Sequence, residues 1–264
     1  MVDDITNVVS GDGTSLAARV TGSGPSLVLV HGSTASKDGW ALVEPILAAR
    51  HTVWSFDRRG RGQSGDADAH SWESEVDDIR AVVAAAGDGT HLVGHSFGAY
   101  CALEAARLLD DLASLVIYEP PVHTERSAEP IRRAIDCLRA GEDERALLIF
   151  LLEVAGLSDD EVAARRANPE IWRRVVSAVP TCEREMAALA SRPWDATRYA
   201  SIDVPVLHLY GSLTDCPAYI STDEVQQALP HAVHTALEGQ RHIGFATDPA
   251  GFAAAVLEFT SSSL

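Results

Sequence analysis

The 264-residue chain has little cysteine, few basic residues and no long apolar run, and each shortage removes a class of protein. Its four cysteines, Cys101, Cys137, Cys182 and Cys216, are scattered, with no paired spacing of the kind that holds a metal. Cys101 reads as a small buried apolar residue. No metal and no organic cofactor is implied. Lys and Arg number 21 against 38 Asp and Glu, a formal net charge of −17. So acidic a chain has no long-range attraction for a phosphate backbone, so neither nucleic acid nor an anionic membrane is an expected partner. The charge reads as solubility. No apolar stretch is long enough to span a bilayer. The start, Met1-Val2-Asp3-Asp4, is acidic and lacks the apolar core of a signal peptide. The expectation is a soluble protein of a reducing cytoplasm acting on a small molecule. Repeats, low-complexity tracts and Pro/Gly/Ser linkers are missing as well.

What is present is 46% hydrophobic residues, ample for the core of one globular domain with an insertion. Residues 1–25 predict an N-terminal hairpin turning at Asp12-Gly13. Ser26 to Val30 is a continuous apolar strand, as expected where both faces of a sheet are covered. A helix is predicted from Gly39 to Ala49, a strand from His51 to Phe56, and a helix from Trp72 to Ala86 with Val76, Ile79, Val82 and Val83 on one face. Strand His91–Val93, helix Ala99–Leu109 and strand Ser114–Tyr118 follow. The alternation predicts an α/β fold with a mostly parallel sheet between helices. It breaks between Pro121 and Ala200, which hold helical stretches at 131–140, 144–155, 159–167, 170–179 and 182–190 and no strand. Strand and helix resume with Val204–Tyr210, Thr222–Leu229, Val233–Leu237 and Gly251–Phe259. The expected organisation is a core of residues 1–120 and 201–264 with a helical lid, residues 121–200, inserted after the sixth strand.

The most informative segment is Gly94-His95-Ser96-Phe97-Gly98, between a strand and a helix. This pattern is that of a nucleophile elbow, in which the serine sits on a strained turn and the flanking glycines avoid collision with neighbouring backbone. The plainer reading is a chance match in a glycine-containing loop; the strand before it and the helix after it favour the elbow.

Four segments in order carry a resemblance to the α/β-hydrolase superfamily over about residues 22–259. They are Val28-Leu29-Val30-His31-Gly32, Asp57-Arg58-Arg59-Gly60-Arg61-Gly62-Gln63-Ser64, the elbow, and Gly239-Gln240-Arg241-His242. The resemblance implies Ser96 as nucleophile and, among ten histidines, His242 as its base. His95 is expected to pack beneath the turn and His31 to hold the oxyanion loop. His123, at the mouth of the lid, reads as solvated or pocket-lining, and His51, His91, His208, His231 and His234 as structural or solvated. The superfamily's acid most often follows the strand that here ends at Tyr210, but Thr214 occupies the expected place and Asp215 comes one residue late. A minority of relatives take the acid from the strand after the elbow, which here ends Tyr118-Glu119. Glu119 is the preferred acid and Asp215 the alternative; either also reads as a structural loop carboxylate.

The oxyanion hole is expected from the backbone N–H groups of Phe97 and Ser33. The arginine-rich loop reads as structural, fixed by Asp57, and Trp40 as packing behind the oxyanion loop. Trp172 and Trp194 either line the pocket or pack lid helices. The resemblance implies a serine hydrolase for a carboxylic ester or lactone, and the apolar run Leu147–Leu152 reads either as lining for a hydrophobic substrate or equally as a helix buried between the lid and the sheet. Lyase or cyclase chemistry on the same fold is the alternative, and a ligand-binding receptor the third reading. Resistance to acyl-enzyme formation marks the lyase; single-turnover hydrolysis marks the receptor.

Overall fold

A computed structural model describes residues 5–68, 70–122, 125–192, 194–215 and 222–262. Strands β1 (Ile5–Val9) and β2 (Ser15–Gly22) form the N-terminal hairpin, with Gly13 turning it at φ 90°. β3 (Ser26–Val30) follows, and the predicted helix over 39–49 is instead a 3₁₀ turn, Lys37–Trp40, and a short α1 (Glu44–Leu47). Pro45 accounts for the late start, because its fixed φ suits the first turn of a helix and its missing N–H needs no partner there. Next come β4 (Thr52–Phe56), α2 (Trp72–Ala86), β5 (Thr90–His95), α3 (Phe97–Ala106) and β6 (Leu112–Tyr118). Ser71 caps α2: its hydroxyl accepts the Ser74 N–H at 3.1 Å while its own N–H donates to the Ser74 hydroxyl at 3.0 Å.

After β6 the chain leaves the sheet for helices. They are α4 (Glu125–Arg139), α5 (Asp143–Ile149), α6 (Asp159–Arg166), α7 (Pro169–Ser177) and α8 (Val179–Ala190). α4 already begins at Glu125 and carries Pro130 inside it. The predicted helix over 144–155 changes character half-way, with Phe150–Val154 wound as a π-helix. Pro169 and Pro180 stand in the first turns of α7 and α8 and so open helices rather than break them. β7 (Val206–Gly211), α9 (Thr222–Ala228), β8 (Val233–Leu237), α10 (Gly244–Thr247) and α11 (Pro249–Ser262) complete the fold.

The eight strands form one sheet in the order β1-β2-β4-β3-β5-β6-β7-β8. β2 pairs antiparallel with β1 and β4; every other pairing is parallel. β3, β5 and β6 lie at the centre, which explains their unbroken apolar sequences: Leu27 to Val30, Leu92, Val93 and Leu115 to Tyr118 are all at 0% exposure. Full burial of such side chains contributes about 1.5–3 kcal/mol each. The parallel strands all end on one edge, and the loops there carry Gly32, Ser96, Glu119, Thr214 and His242. Among the described residues no helix is long and apolar enough to cross a membrane.

Candidate active site

Ser96 follows the last residue of β5 with φ 54° and ψ −125°, left-handed backbone that a serine adopts only at a cost. The glycines around it are there for space. A Cβ on Gly94 would stand 2.6 Å from the Cα of Ala99, and one on Gly98 would stand 2.4 Å from the His31 carbonyl oxygen. The α3 backbone therefore runs hard against β5 on one side and the β3 loop on the other. Among the described residues three non-glycines have positive φ: Thr34, Ser96 and Glu119. All three lie on this edge of the sheet, so the backbone strain is concentrated there.

Glu119, at φ 47°, turns off the end of β6 so that its carboxylate points along the ends of β7 and β8. One oxygen accepts the Gly211 N–H at 2.8 Å and the Thr214 hydroxyl at 2.5 Å. The other lies 2.6 Å from Nδ1 of His242. This carboxylate is at 0% exposure, and three donors converge on it, which is what a buried anion needs. The arrangement leaves Nε2 of His242 as the free acceptor of the ring. Asp215 is exposed and makes no hydrogen bond to His242. Thr214, in the place where the acid was expected, serves the carboxylate as a donor instead.

His242 is held from below. His95 donates from Nε2 to the His242 carbonyl at 2.8 Å, and the two rings lie 4.6 Å apart between centroids. Burial, then the neighbouring His242, holds the His95 pKa well below the usual histidine range, so this ring stays neutral. The Tyr118 hydroxyl donates to the Arg241 carbonyl and accepts the Gly244 N–H at 2.9 Å, pinning both sides of the histidine loop. Trp40 packs edge-on against His95 and also against Phe245 and Phe252.

The β3 loop presents a peptide group to Ser96. His31 donates from Nδ1 to the Gly32 carbonyl at 2.8 Å, while its Nε2 accepts the Arg58 N–H at 3.0 Å. Burial, then the Arg58 charge, lowers the His31 pKa to about 3, which keeps the ring in this neutral form. In a trans peptide the carbonyl and the next N–H point opposite ways. Fixing the Gly32 carbonyl on one side therefore fixes the Ser33 N–H on the other. Gly32 is close enough to the nucleophile that a Cβ on it would stand 2.9 Å from Cβ of Ser96. Neither Ser33 N–H nor Phe97 N–H, the first of α3, donates to a backbone carbonyl among the described residues.

Behind the loop lies a buried set of charges. Arg58 pairs with Glu75 at 2.8 Å and with Glu185 of α8 at 2.5 Å; Arg61 reaches the same Glu185 oxygen at 2.8 Å. Arg59 pairs with Asp78 at 2.7 Å. The arginine loop is thus spent internally. Asp57 accepts the Lys37 N–H at 2.8 Å, its ammonium at 2.7 Å and the Gln63 N–H at 2.9 Å. His51, His91 and His208 are buried away from these residues, and His123 and Cys216 lie outside the described residues. Trp194 packs on Tyr100 and Tyr199, and Trp172 lies under Arg166.

A model of the alpha/beta hydrolase family matches residues 27–255. The chain belongs to this family. Within it, an alpha/beta hydrolase from Sphaerobacter thermophilus superposes with TM-score 0.83 at 31% identity, covering 96% of this chain and 99% of that one. An esterase from Rhodococcus superposes with TM-score 0.79 at 26% identity, covering 98% and 99%. The N-formylmaleamate deformylase of Pseudomonas putida is 34% identical over 160 residues, 56% of this chain and 58% of its own length. The chain thus spans under three-fifths of that curated relative.

The interior beside the β3 loop is closely packed: a crevice lined by Thr34 together with Leu147, Phe150, Val179, Cys182 and Met186 has no room for a water molecule. A larger open hollow of about 540 Å³ between the start of α2 and α8, lined by His70, Trp72, Arg184 and Arg192, includes none of the residues around Ser96. Sequence reasoning missed Thr214 as donor, Tyr118 as loop anchor and Glu185 as partner of the arginines. Thr214 was legible as the residue standing in the acid's place. Glu185 carries no local signal, because its partners are more than a hundred residues away.

Proposed function

We propose that the chain is a serine hydrolase that cleaves a carboxylic ester or lactone of a small, hydrophobic substrate through an acyl-enzyme at Ser96. The observation that carries this reading is the buried Glu119–His242 pair on the same edge as a strained serine and the Ser33 and Phe97 N–H groups, which donate to no backbone carbonyl among the described residues. In this reading Ser96 Oγ attacks the carbonyl carbon as His242 Nε2 takes its proton. Glu119 holds the ring with its proton on Nδ1 and stabilises the imidazolium. The Ser33 and Phe97 N–H groups receive the developing oxyanion. His242 then protonates the leaving alcohol, which departs from an ester or stays tethered in a lactone. Water next attacks the acyl carbon, giving its proton to His242, and Ser96 is released with the acid.

Residues 121–200 serve as a lid over the strand ends. Glu185 ties the lid to Arg58 and Arg61, and the crevice beside Thr34 is lined by apolar side chains from the lid. The cytoplasm suits Cys101, Cys137 and Cys182, which are buried as free thiols. The partner is a small molecule, with no nucleic acid or membrane.

The test is exposure to a fluorophosphonate followed by intact-protein mass spectrometry and peptide mapping. One adduct at Ser96, missing in Ser96→Ala, is the expected result, followed by turnover in an ester and lactone panel. A folded protein that takes no adduct and turns over no ester overturns the acyl-enzyme reading in favour of lyase chemistry.

A further inference from the structure

Arg58 is buried behind the β3 loop, at 1% exposure, and its guanidinium uses all five of the N–H donors such a group carries. Nε donates to one Glu75 oxygen at 3.0 Å and Nη2 to the other at 2.8 Å. The second Nη2 donor goes to Glu185 of α8 at 2.5 Å. The remaining arm, Nη1, binds no carboxylate among the described residues. It meets two backbone carbonyls of the β3 loop instead, His31 at 3.4 Å and Gly32 at 3.5 Å. The guanidinium carbon also lies 4.6 Å from the centre of the Phe97 ring, which stacks on Trp72 at 5.2 Å. The two carboxylates anchor and neutralise the arginine by themselves. What Nη1 adds is a cation against the backbone beside Ser96.

The Gly32 carbonyl belongs to the same planar peptide group as the Ser33 N–H. The Phe97 ring belongs to the residue whose N–H is the other oxyanion donor. One side chain therefore touches the carriers of both donors. The His31 carbonyl is the atom against which the elbow packs, since a Cβ on Gly98 would stand 2.4 Å from it. Satisfying the Gly32 carbonyl does not require Arg58, because it already accepts from His31 Nδ1 at 2.8 Å. A positive charge beside that oxygen draws the peptide's electrons toward it and makes the N–H at the other end a stronger donor, as linked hydrogen bonds polarise one another. We propose that Arg58 is a positioning residue for the oxyanion hole: it fixes the Gly32–Ser33 peptide against Phe97 and strengthens the Ser33 N–H toward the oxyanion. The proposal rests on the serine hydrolase reading. Glu75 of α2 and Glu185 of α8 hold the guanidinium in place from two sides of the chain's fold. A lysine cannot do the same, because its ammonium has three donors and no planar face.

The measurement is kcat and KM for the best ester of the panel in the wild-type protein, Arg58→Lys and Glu185→Gln. The inhibition constant of phenylboronic acid, whose serine adduct places a tetrahedral boronate oxygen where the oxyanion forms, is taken on the same proteins. In Arg58→Lys kcat falls about ten- to a hundredfold, less than the loss of a whole oxyanion donor. KM barely moves, because the interaction is made in the transition state, and boronate affinity falls with kcat. Glu185→Gln weakens the same buried cluster but leaves Nη1 in place, so it lowers the urea midpoint and keeps kcat within about threefold of wild type. A kcat within about threefold of wild type in folded Arg58→Lys, a kcat loss that boronate binding does not share, or an equal loss in Glu185→Gln overturns the proposal. If Arg58→Lys does not fold, Arg58→Gln/Glu75→Gln, which removes both charges of one pair together, takes its place. Failure of the hydrolase reading is seen separately, as absence of the fluorophosphonate adduct in the wild-type protein. In that case crystal structures of the two variants decide: a Gly32–Ser33 peptide reoriented in the Arg58 variant alone upholds the positioning role, and one unchanged in both or moved in both refutes it.

Discussion

Replacing Glu119 by glutamine keeps shape and volume and changes one thing, the pattern of donors and acceptors around the carboxyl group. The native carboxylate is an acceptor on both oxygens, toward Gly211 N–H at 2.8 Å, Thr214 hydroxyl at 2.5 Å and His242 Nδ1 at 2.6 Å. A glutamine has one acceptor oxygen. Gly211 and Thr214 both donate to the same native oxygen, so the amide oxygen takes that place and the NH₂ faces His242. The ring must then accept at Nδ1, which moves its proton to Nε2, the atom required to receive the proton of Ser96. A wrong tautomer of this kind lowers kcat by roughly 10⁴ in a serine triad, so kcat in Glu119→Gln falls by about three to four decades. Stability falls by only about 1–3 kcal/mol, the cost of exchanging charge-assisted for neutral hydrogen bonds. The assay is turnover of the best ester from the panel, with the rate of fluorophosphonate labelling and a urea denaturation curve measured on the same protein. Asp215→Asn, changing an exposed side chain, stays within threefold of wild type by the same measurements, roughly the scatter of a neutral surface change. Retention of a tenth or more of the activity by Glu119→Gln, or a large loss in Asp215→Asn, refutes the assignment of the acid.

Glu185→Ala removes the shared partner of Arg58 and Arg61 inside the protein. Breaking a buried pair by taking out one member costs about 3–5 kcal/mol, and urea denaturation should show a loss of that size; a loss below about 1 kcal/mol, the ceiling for exposed pairs, contradicts the buried network. Stability should also fall on acidification from pH 7 to 4.5. His31 and His208 have folded pKa values lowered to about 3 by burial against 6.5 ordinarily, so the unfolded chain takes up protons first. Their contribution is complete above pH 6.5 and is lost as pH falls toward the folded values, about 2–3 kcal/mol for each ring by pH 4.5. Glu75 and Glu185, held below the usual carboxylate range against desolvation by the arginines, act in the same direction at still lower pH. A melting temperature that stays flat between pH 7 and 4.5 contradicts this account.

The central strands, the helix at Trp72–Ala86 and the elbow were legible from the chain itself, because each depends on local chemistry. Covered strands need unbroken apolar runs, an amphipathic helix repeats its contacts every turn, and a serine in left-handed backbone needs glycine beside it. Helix ends were less legible where proline stood near them: Pro45, Pro169 and Pro180 open helices here, and a proline looks the same in sequence whether it starts a helix or stops one. That Ser96 and His242 fall on the same edge of the sheet was legible only through the order of four loops. What three-dimensional packing alone decided was the use of charge. Glu119 and Asp215 are both loop carboxylates after strands, and only the turn at φ 47° and the donors of Gly211, Thr214 and His242 distinguish the buried one. Glu185 stands on a helix with many polar residues, yet it is buried and neutralised by two arginines, because α8 packs on the loop of Arg58. Sequence determines which elements form, since those forces act between neighbours. Partners for buried charges are set by contacts between residues distant in the chain, and these exist only once the elements are packed.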